Sequence, residues 1–143
     1  MSNMFWLCAR LNELNVSHFK TQNVTDMACM FADCDNLLSL DLNNFDTSNV
    51  TDMSQMFEGC SRLVTLYLSK LNTQNSTHMN SMFSGLESLL SFNITCYTRW
   101  VVSMTLMFEY WKSLSYLTIK NFSTKSLGSI LWFAKGCRSL QIL

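Results

Sequence analysis

The sequence predicts an α/β solenoid, in which similar coils stack with short parallel strands on one face and short helical turns on the other. Six leucines mark the coils and recur with a period of about 26 residues: Leu11, Leu37, Leu63, Leu89, Leu114 and Leu140. A repeat of this length is typical of coils that are too small to bury their own apolar face and are stable only against their neighbours. Each coil also contains one segment with the apolar spacing of a strand and one with the spacing of a helix.

The strand segment of each coil follows the repeated leucine. Leu40 and Leu42 are apolar, whereas Ser39, Asp41 and Asn43 beside them are polar. This alternation is typical of a short strand with one buried and one exposed face. Equivalent patterns in the other coils predict one parallel strand per coil.

The helical segment precedes the leucine. In the repeat copy over residues 49–71, the apolar positions of this segment are spaced i, i+3, i+4 and i+7, as on one face of a short helix. These positions are Met53, Met56, Phe57 and Cys60. Thr51 or Asp52 can cap the first turn, and Gly59 suits the left-handed position at which such a turn ends. Asp33 in the glycine column is compatible with that conformation, but Tyr110 in the same column is not explained by it.

The whole chain, residues 1–143, is predicted to form a single array of five to six repeats, as part of a longer array. Its 48% hydrophobic content suffices for one continuous core, and no proline-rich or low-complexity linker divides it. Polar residues interrupt every apolar stretch, so we expect no membrane span. The first residues lack the charged start and apolar core of an export signal.

No pattern in the sequence predicts catalysis, a cofactor or a metal. The two histidines, His18 and His78, occupy positions expected at the surface. Phosphate-binding glycine loops, nucleophile elbows and paired cysteine ligands for zinc do not occur. With 10 basic and 10 acidic residues, the chain lacks the positive charge typical of nucleic-acid binding. We therefore expect a protein that is not an enzyme, uses no cofactor and binds no nucleic acid.

Four of the six cysteines share one column at the end of the helical segment. They are Cys8, Cys34, Cys60 and Cys137. Because free cysteine is among the most buried residue types, we interpret this column as small apolar core residues rather than disulfide partners or metal ligands. Such a column is compatible with an oxidising or a reducing compartment.

Charge is distributed unevenly along the chain. Residues 1–58 carry two basic and eight acidic side chains, a net charge of −6, and residues 59–143 carry eight basic and two acidic ones, a net charge of +6. In a stack of coils, order in the sequence becomes position along the axis, so the two ends should differ in potential. The asymmetry is compatible with drift among solvated side chains. It is also compatible with head-to-tail self-association, in which the acidic end of one molecule meets the basic end of another.

The outward positions of successive predicted strands form the candidate binding face. Tyr67 and Tyr116 are its natural anchors, since exposed tyrosines dominate many protein interfaces. An ordinary solvated sheet face is the alternative interpretation. The predicted binding residues are Glu13, Asn15, Ser39, Asp41, Asn43, Thr65, Tyr67, Ser69, Asn93, Tyr116, Thr118 and Lys120.

A second row consists of threonines and asparagines in the loops between coils. It comprises Thr21, Thr47, Thr73 and Thr124 with Asn23, Asn49 and Asn75. Regular threonine rows can order water, which makes ice binding conceivable. The fourth loop, residues 98–100, breaks the row, and both residue types are common in turns, so ice binding is not favoured.

These columns resemble those of the BspA-like leucine-rich-repeat surface proteins of bacteria and parasitic protozoa. The signature of that family, Asn-Val-Thr-Asp-Met, Met-Phe, Gly-Cys and spaced leucines, is carried by residues 49–53, 56–57 and 59–60 and by Leu63, Leu66 and Leu68. The columns differ in that the fourth loop is shorter by a single position and the cysteine column holds Leu86 and Trp111 in two coils.

The resemblance implies a right-handed leucine-rich-repeat-like solenoid. It also implies a non-enzymatic scaffold for protein binding or adhesion, with a protein or glycan ligand on the strand face and an extracellular or cell-surface location. The alternative is a structural spacer or a head-to-tail self-associating array segment that has no separate ligand.

Overall fold

The computed structural model describes residues 1–140. These residues contain four short strands, β1 (Ser39–Asp41), β2 (Thr65–Tyr67), β3 (Ser91–Thr95) and β4 (Tyr116–Lys120), and no helix. The strands form two separate parallel sheets, β1 with β2 and β3 with β4. The predicted α/β leucine-rich-repeat-like solenoid is therefore wrong, and the described chain is mostly β-strand and irregular coil. The predicted array includes residues 141–143, which lie outside the described residues.

Tight turns take the place of the predicted helices. Over residues 27–34 the backbone makes successive turns closed by i to i+3 hydrogen bonds, such as Cys34 N–H to the Phe31 carbonyl oxygen at 3.3 Å. The third residues of two of these turns, Cys29 and Asp33, have φ angles of 55° and 57°. A positive φ at that position is typical of a type II turn and is incompatible with an α-helix.

An α-helix does not form in this segment because alternate backbone N–H groups have acceptors in the next coil. In an α-helix each N–H bonds the carbonyl four residues back, whereas here alternate N–H groups bond the next coil. Met27 N–H donates to the Asp52 carbonyl oxygen and Phe31 N–H to the Met56 carbonyl oxygen, both at 3.0 Å. The apolar side chains of the segment are buried as predicted, but by turns that bond across coils.

The predicted cap and glycine positions have roles within these turns. Asp52 Oδ1 accepts the Ser54 N–H at 2.8 Å, although no helix follows. Gly59 has a φ of 71°, the left-handed conformation predicted for it. Tyr110 in the same column has a strained φ of 59°. Its ring lies beside Gly136, where an added Cβ would be 2.8 Å from Tyr110 Cδ1, so the absence of a side chain at Gly136 makes room for it.

The coils stack in register. Parallel bridges join Asp26 to Asp52, Asp52 to His78, His78 to Ser103, and Ser103 to Ser129. The partners in each bridge are separated by the same period that separates the repeated leucines. Equivalent residues of neighbouring coils therefore lie directly on one another.

A column of phenylalanine rings runs through the core. Phe31, Phe57, Phe83 and Phe108 are fully buried. Successive ring centroids are 5.8, 5.5 and 5.6 Å apart, with ring planes no more than 8° from parallel. The repeated leucines form an adjacent buried column of Leu37, Leu63, Leu89 and Leu114. Each coil thus buries its apolar side chains mainly against its neighbours.

A ladder of threonines joins the coils from the inside. Thr47 Oγ1 donates to the Asn72 carbonyl oxygen at 3.0 Å and accepts the Asn72 N–H at 2.8 Å. Thr21, Thr73 and Thr98 bond the next coil in the same way. All four are buried, so they offer no threonine surface to ice. Thr124, the remaining threonine of the predicted row, is exposed. Thr98 continues the ladder through the fourth loop, so the break predicted there is wrong for the threonines. Trp100 replaces the asparagine of the row in that loop.

Candidate functional site

The predicted binding residues lie along the strand face but do not form one continuous surface. Most of those on β1 to β4 are exposed, while Asn43 and Thr65 are partly buried. Glu13 and Asn15 are exposed as well, but they lie in irregular chain. The strand predicted around these two residues is therefore wrong.

The two predicted tyrosine anchors are equally accessible but lie on different sheets. Tyr67 on β2 and Tyr116 on β4 each expose 53% of their surface. Because β2 pairs with β1 and β4 pairs with β3, the structure does not bring the two tyrosines together. Thr118 and Lys120 lie with Tyr116 on β4.

The strand face is interrupted between β2 and β3. No Cα atom of Thr65–Tyr67 lies within 8 Å of a Cα atom of Ser91–Thr95, whereas paired strands lie about 4.8 Å apart. Within residues 1–140, no backbone hydrogen bond joins these two strands. The gap forms a cleft of about 410 Å³. The predicted binding residues that line it are Asn43, Thr65, Tyr67, Ser69 and Asn93.

The floor of this cleft is apolar. Leu40 on β1 is 1% exposed, and Leu42 just after β1 is 4% exposed. The equivalent residues in the next coil, Leu66 and Leu68, are only partly buried. Phe92 forms the opposite side of the floor and is 6% exposed. No charged side chain lines the cleft. The site therefore combines an apolar floor with an uncharged polar rim.

A second, more open hollow of about 940 Å³ lies beside β1. It brings together the predicted residues Glu13, Asn15, Ser39, Asp41 and Asn43. Lys70 also lines it, so this hollow contains charges of both signs, unlike the cleft. Tyr116, Thr118 and Lys120 line neither of these two depressions.

The residue pattern did not predict the apolar half of the cleft, because Leu66 and Leu68 lie in columns expected to be core. One signal was present in the sequence. Phe92 is larger than Leu40 and Leu66, which occupy the same column in earlier coils. Trp111 is likewise larger than Cys34 and Cys60 in its column. Their ring centroids lie 5.2 Å apart, and the Phe92 ring also lies 5.0 Å from that of Phe83. This aromatic cluster supports β3 and has no equivalent under β2.

Potential catalytic and metal-binding groups are scattered over the described chain. Residues 1–140 contain no group of three or more His, Cys, Asp or Glu side chains placed to hold a metal ion. His18 and His78 are exposed and lie in different coils, and His78 Nδ1 lies 3.0 Å from the Thr77 hydroxyl. The same residues form no helix long and apolar enough to cross a membrane.

The cysteine column supplies hydrogen-bond donors inside the core. The Cys60 thiol donates to the Phe31 carbonyl oxygen of the preceding coil, with Sγ 3.1 Å away. Where the column holds Trp111, the indole Nε1 donates to the Phe83 carbonyl oxygen in the same way. Cys8 is exposed, so the buried environment predicted for the whole column is wrong at this position.

The buried thiol of Cys60 should be chemically inert in the folded protein. Burial raises the pKa of Cys60 to about 12, and the thiolate rather than the thiol is the nucleophile. We expect iodoacetamide at about pH 8 to modify the exposed Cys8 at least about a hundredfold faster than Cys60, as followed by peptide mass spectrometry. Unfolding in guanidinium should bring the two rates together. Equal rates in the folded protein would show that Cys60 is not buried.

Stacked coils, internal ladders and an open strand face define a coil-repeat protein of mostly β and irregular structure. The chain belongs to the family DUF285, described as Mycoplasma protein of unknown function, whose family model matches residues 1–95. This range ends with the last residue of β3, so both walls of the cleft lie inside it. No curated protein and no solved structure matches the chain. The resemblance to the BspA-like proteins stays a prediction.

Proposed function

We propose that this chain is a non-enzymatic binding module whose strand face takes a protein ligand. The observation that carries the proposal is the cleft between β2 and β3, because its polar rim surrounds an apolar floor that is open to solvent. Protein-binding surfaces commonly combine an apolar centre, a polar rim and an aromatic anchor. Tyr67 supplies the anchor, and Asn43, Ser69 and Asn93 supply hydrogen-bonding groups on the rim.

A glycan ligand would use the rim differently. The hydroxyl of Ser69 and the amide of Asn93 could bind sugar hydroxyls, but the apolar floor would stay unfilled. This favours a protein ligand over a glycan. Adhesion and display at a cell surface are part of the proposal through the resemblance to the BspA-like proteins.

The proposal predicts partner binding that depends on Tyr67, the exposed tyrosine that lines the cleft. For a partner captured from a cell lysate and then purified, we expect Tyr67→Ala to weaken binding at least about tenfold in a calorimetric titration. Trp100→Ala is the matched control, since Trp100 is an aromatic residue that is 55% exposed and lies outside the strand face. Unchanged affinity of the Tyr67→Ala variant, with an unchanged melting temperature, would place the binding site elsewhere.

Head-to-tail self-association is a second candidate, because the end coils expose large apolar side chains. In the first coil, Phe5 and Leu7 donate their N–H groups to the Met30 and Ala32 carbonyl oxygens of the second coil. Trp6 is 51% exposed there, while Leu131 and Trp132 of the last described coil are 65% and 60% exposed. The first and last coils of the described residues therefore both expose apolar side chains.

Charge adds a salt dependence to this candidate. Asp33 Oδ2 accepts the Trp6 indole N–H at 3.2 Å, whereas the Lys135 ammonium lies 4.6 Å from the Trp132 ring centroid. We expect sedimentation velocity to show association that grows with protein concentration at low salt and weakens at high salt. A monomer at every concentration and salt would exclude self-association.

A further inference from the structure

We infer that the cleft between β2 and β3 binds an extended, uncharged peptide, which adds a strand between the two sheets. The inference rests on the proposed binding function and names the class of its ligand. Strand addition of this kind gains affinity from main-chain hydrogen bonds and specificity from alternate side chains. The bound peptide would join the two sheets into one.

The separation of β2 and β3 suits an inserted strand. Two strands with a third between them lie about 9.6 Å apart, which is twice the spacing of a paired strand. Every Cα atom of Thr65–Tyr67 lies more than 8 Å from every Cα atom of Ser91–Thr95. The two strands are therefore too far apart to pair directly, as the insertion of a third strand requires.

The cleft is open on the strand face alone. On the turn face the same two coils are in close contact, with Gly59 N–H donating to the Ser84 carbonyl oxygen at 2.9 Å. Ser88 Oγ, which donates to the Ser61 carbonyl oxygen at 2.7 Å, closes one end of the gap. The Thr73 hydroxyl, which donates to the Tyr97 carbonyl oxygen at 3.0 Å, closes the other end. The opening is thus limited to the length of the strands.

The edge of β2 that faces the cleft has free backbone groups. Alternate residues of a strand direct their N–H and C=O groups to opposite edges. Thr65 N–H donates to the Leu38 carbonyl oxygen at 3.4 Å, and the Tyr67 carbonyl oxygen accepts the Leu42 N–H at 3.1 Å. The backbone N–H and C=O groups of Thr65 and Tyr67 therefore face β1. Those of Leu66, which lies between them, face the cleft.

The edge of β3 is free in the same way. Cys96 N–H donates to the Lys120 carbonyl oxygen of β4 at 2.9 Å. By the same alternation, the N–H and C=O groups of Ser91, Asn93 and Thr95 face the cleft. The cleft is thus bordered on both sides by unpaired strand edges, which are templates for another strand.

The walls define the chemistry of the peptide. One face of an inserted strand would cover Leu66, Leu68 and Phe92, so its inward side chains should be apolar. Charged side chains on the peptide would find no oppositely charged partner, since no charged residue lines the cleft. The five residues of β3 span about 16 Å at 3.3 Å per residue, so a peptide of about five residues fills the gap.

A displayed library of uncharged peptides about five residues long, selected on the wild-type protein, provides the probe. We expect a selected peptide to slow amide hydrogen exchange at Leu66, Asn93 and Thr95 at least about tenfold, because their N–H groups acquire acceptors. Ile94 is the internal control, since its N–H faces β4. A version of the peptide with methylated backbone nitrogens should bind at least about tenfold more weakly.

The two tyrosines form a matched pair of variants, because both are 53% exposed and only Tyr67 lines the cleft. Tyr67→Ala should weaken the selected peptide at least about tenfold, and Tyr116→Ala should change its affinity less than about twofold. Equal binding of the methylated peptide, or unchanged exchange at Leu66 and Asn93, would overturn the inference.

The remaining outcomes separate the inference from the proposed function. If no peptide is selected, but a captured protein still binds in a tyrosine-dependent way, strand addition is wrong and the binding function stands. If Tyr116→Ala weakens the peptide and Tyr67→Ala does not, the ligand lies on the second sheet and the cleft is not the site. If neither peptide nor protein binds, both proposals fail.

Discussion

Replacing Phe57 with alanine is expected to lower the free energy of unfolding by about 3 to 5 kcal/mol. Phe57 is fully buried, and its ring lies between those of Phe31 and Phe83 at centroid distances of 5.8 and 5.5 Å. Truncation removes the contacts on both sides and leaves a cavity that the stacked coils cannot close without losing their register. The effect should be large because each coil depends on its neighbours.

Urea denaturation followed by circular dichroism measures this loss. Because a domain of this size has a total stability of only about 5 to 15 kcal/mol, the alanine variant could fail to fold. Phe57→Leu keeps most of the volume and should cost less than about 2 kcal/mol, so it gives a measurable intermediate value. Tyr67→Ala, at an exposed position, is the control. A loss below about 1 kcal/mol for Phe57→Ala would mean that the ring column does not support the stack.

Replacing Thr47 with valine is expected to lower the free energy of unfolding by about 2 to 4 kcal/mol, although valine has nearly the same shape. The Thr47 hydroxyl both donates to the Asn72 carbonyl oxygen and accepts the Asn72 N–H. Valine would leave these two backbone groups without a partner, and an unpaired group costs about 1 to 3 kcal/mol when it is fully buried. Because Asn72 is only partly buried, the expected loss lies in the lower part of the sum for two groups.

A matched control for this variant is Thr51→Val. The Thr51 hydroxyl also donates to a backbone carbonyl, that of Thr25 at 3.1 Å, but Thr51 is exposed and water can replace the bond. We expect a loss below about 1 kcal/mol for this control in the same urea titration. Similar losses for the two variants would indicate that the ladder of buried threonines does not hold the coils together.

Parts of the fold followed from residue patterns. The alternation around Leu40 predicted the strand Ser39–Asp41, and the same column predicted β2, β3 and β4. The helical prediction failed because spacing of i, i+3, i+4 and i+7 records which side chains are buried and not how the backbone is bonded. Met27 N–H finds its acceptor at Asp52, a full coil away, and a local sequence window does not contain that information.

The candidate site was predictable as a face but not as a cleft. Tyr67 and Asn93 were assigned to the exposed side of their strands, and both are exposed. Leu40, Leu66 and Phe92 are evenly spaced in the sequence, so the first and second strands are as far apart along the chain as the second and third. Yet β1 and β2 pair while β2 and β3 do not. Strands β2 and β3 also differ in what packs beneath them, since Phe92 of β3 lies on Trp111 and Phe83.

By itself, the sequence determined which residues share a column, because burial of equivalent side chains on one another requires a nearly constant repeat length. Only the tertiary structure decided that the turns bond across coils, that the threonine ladder faces inward and that the strand face opens between β2 and β3. The physical reason is common to all three. Each depends on the distance between backbone groups of neighbouring coils, which is set by how the coils pack.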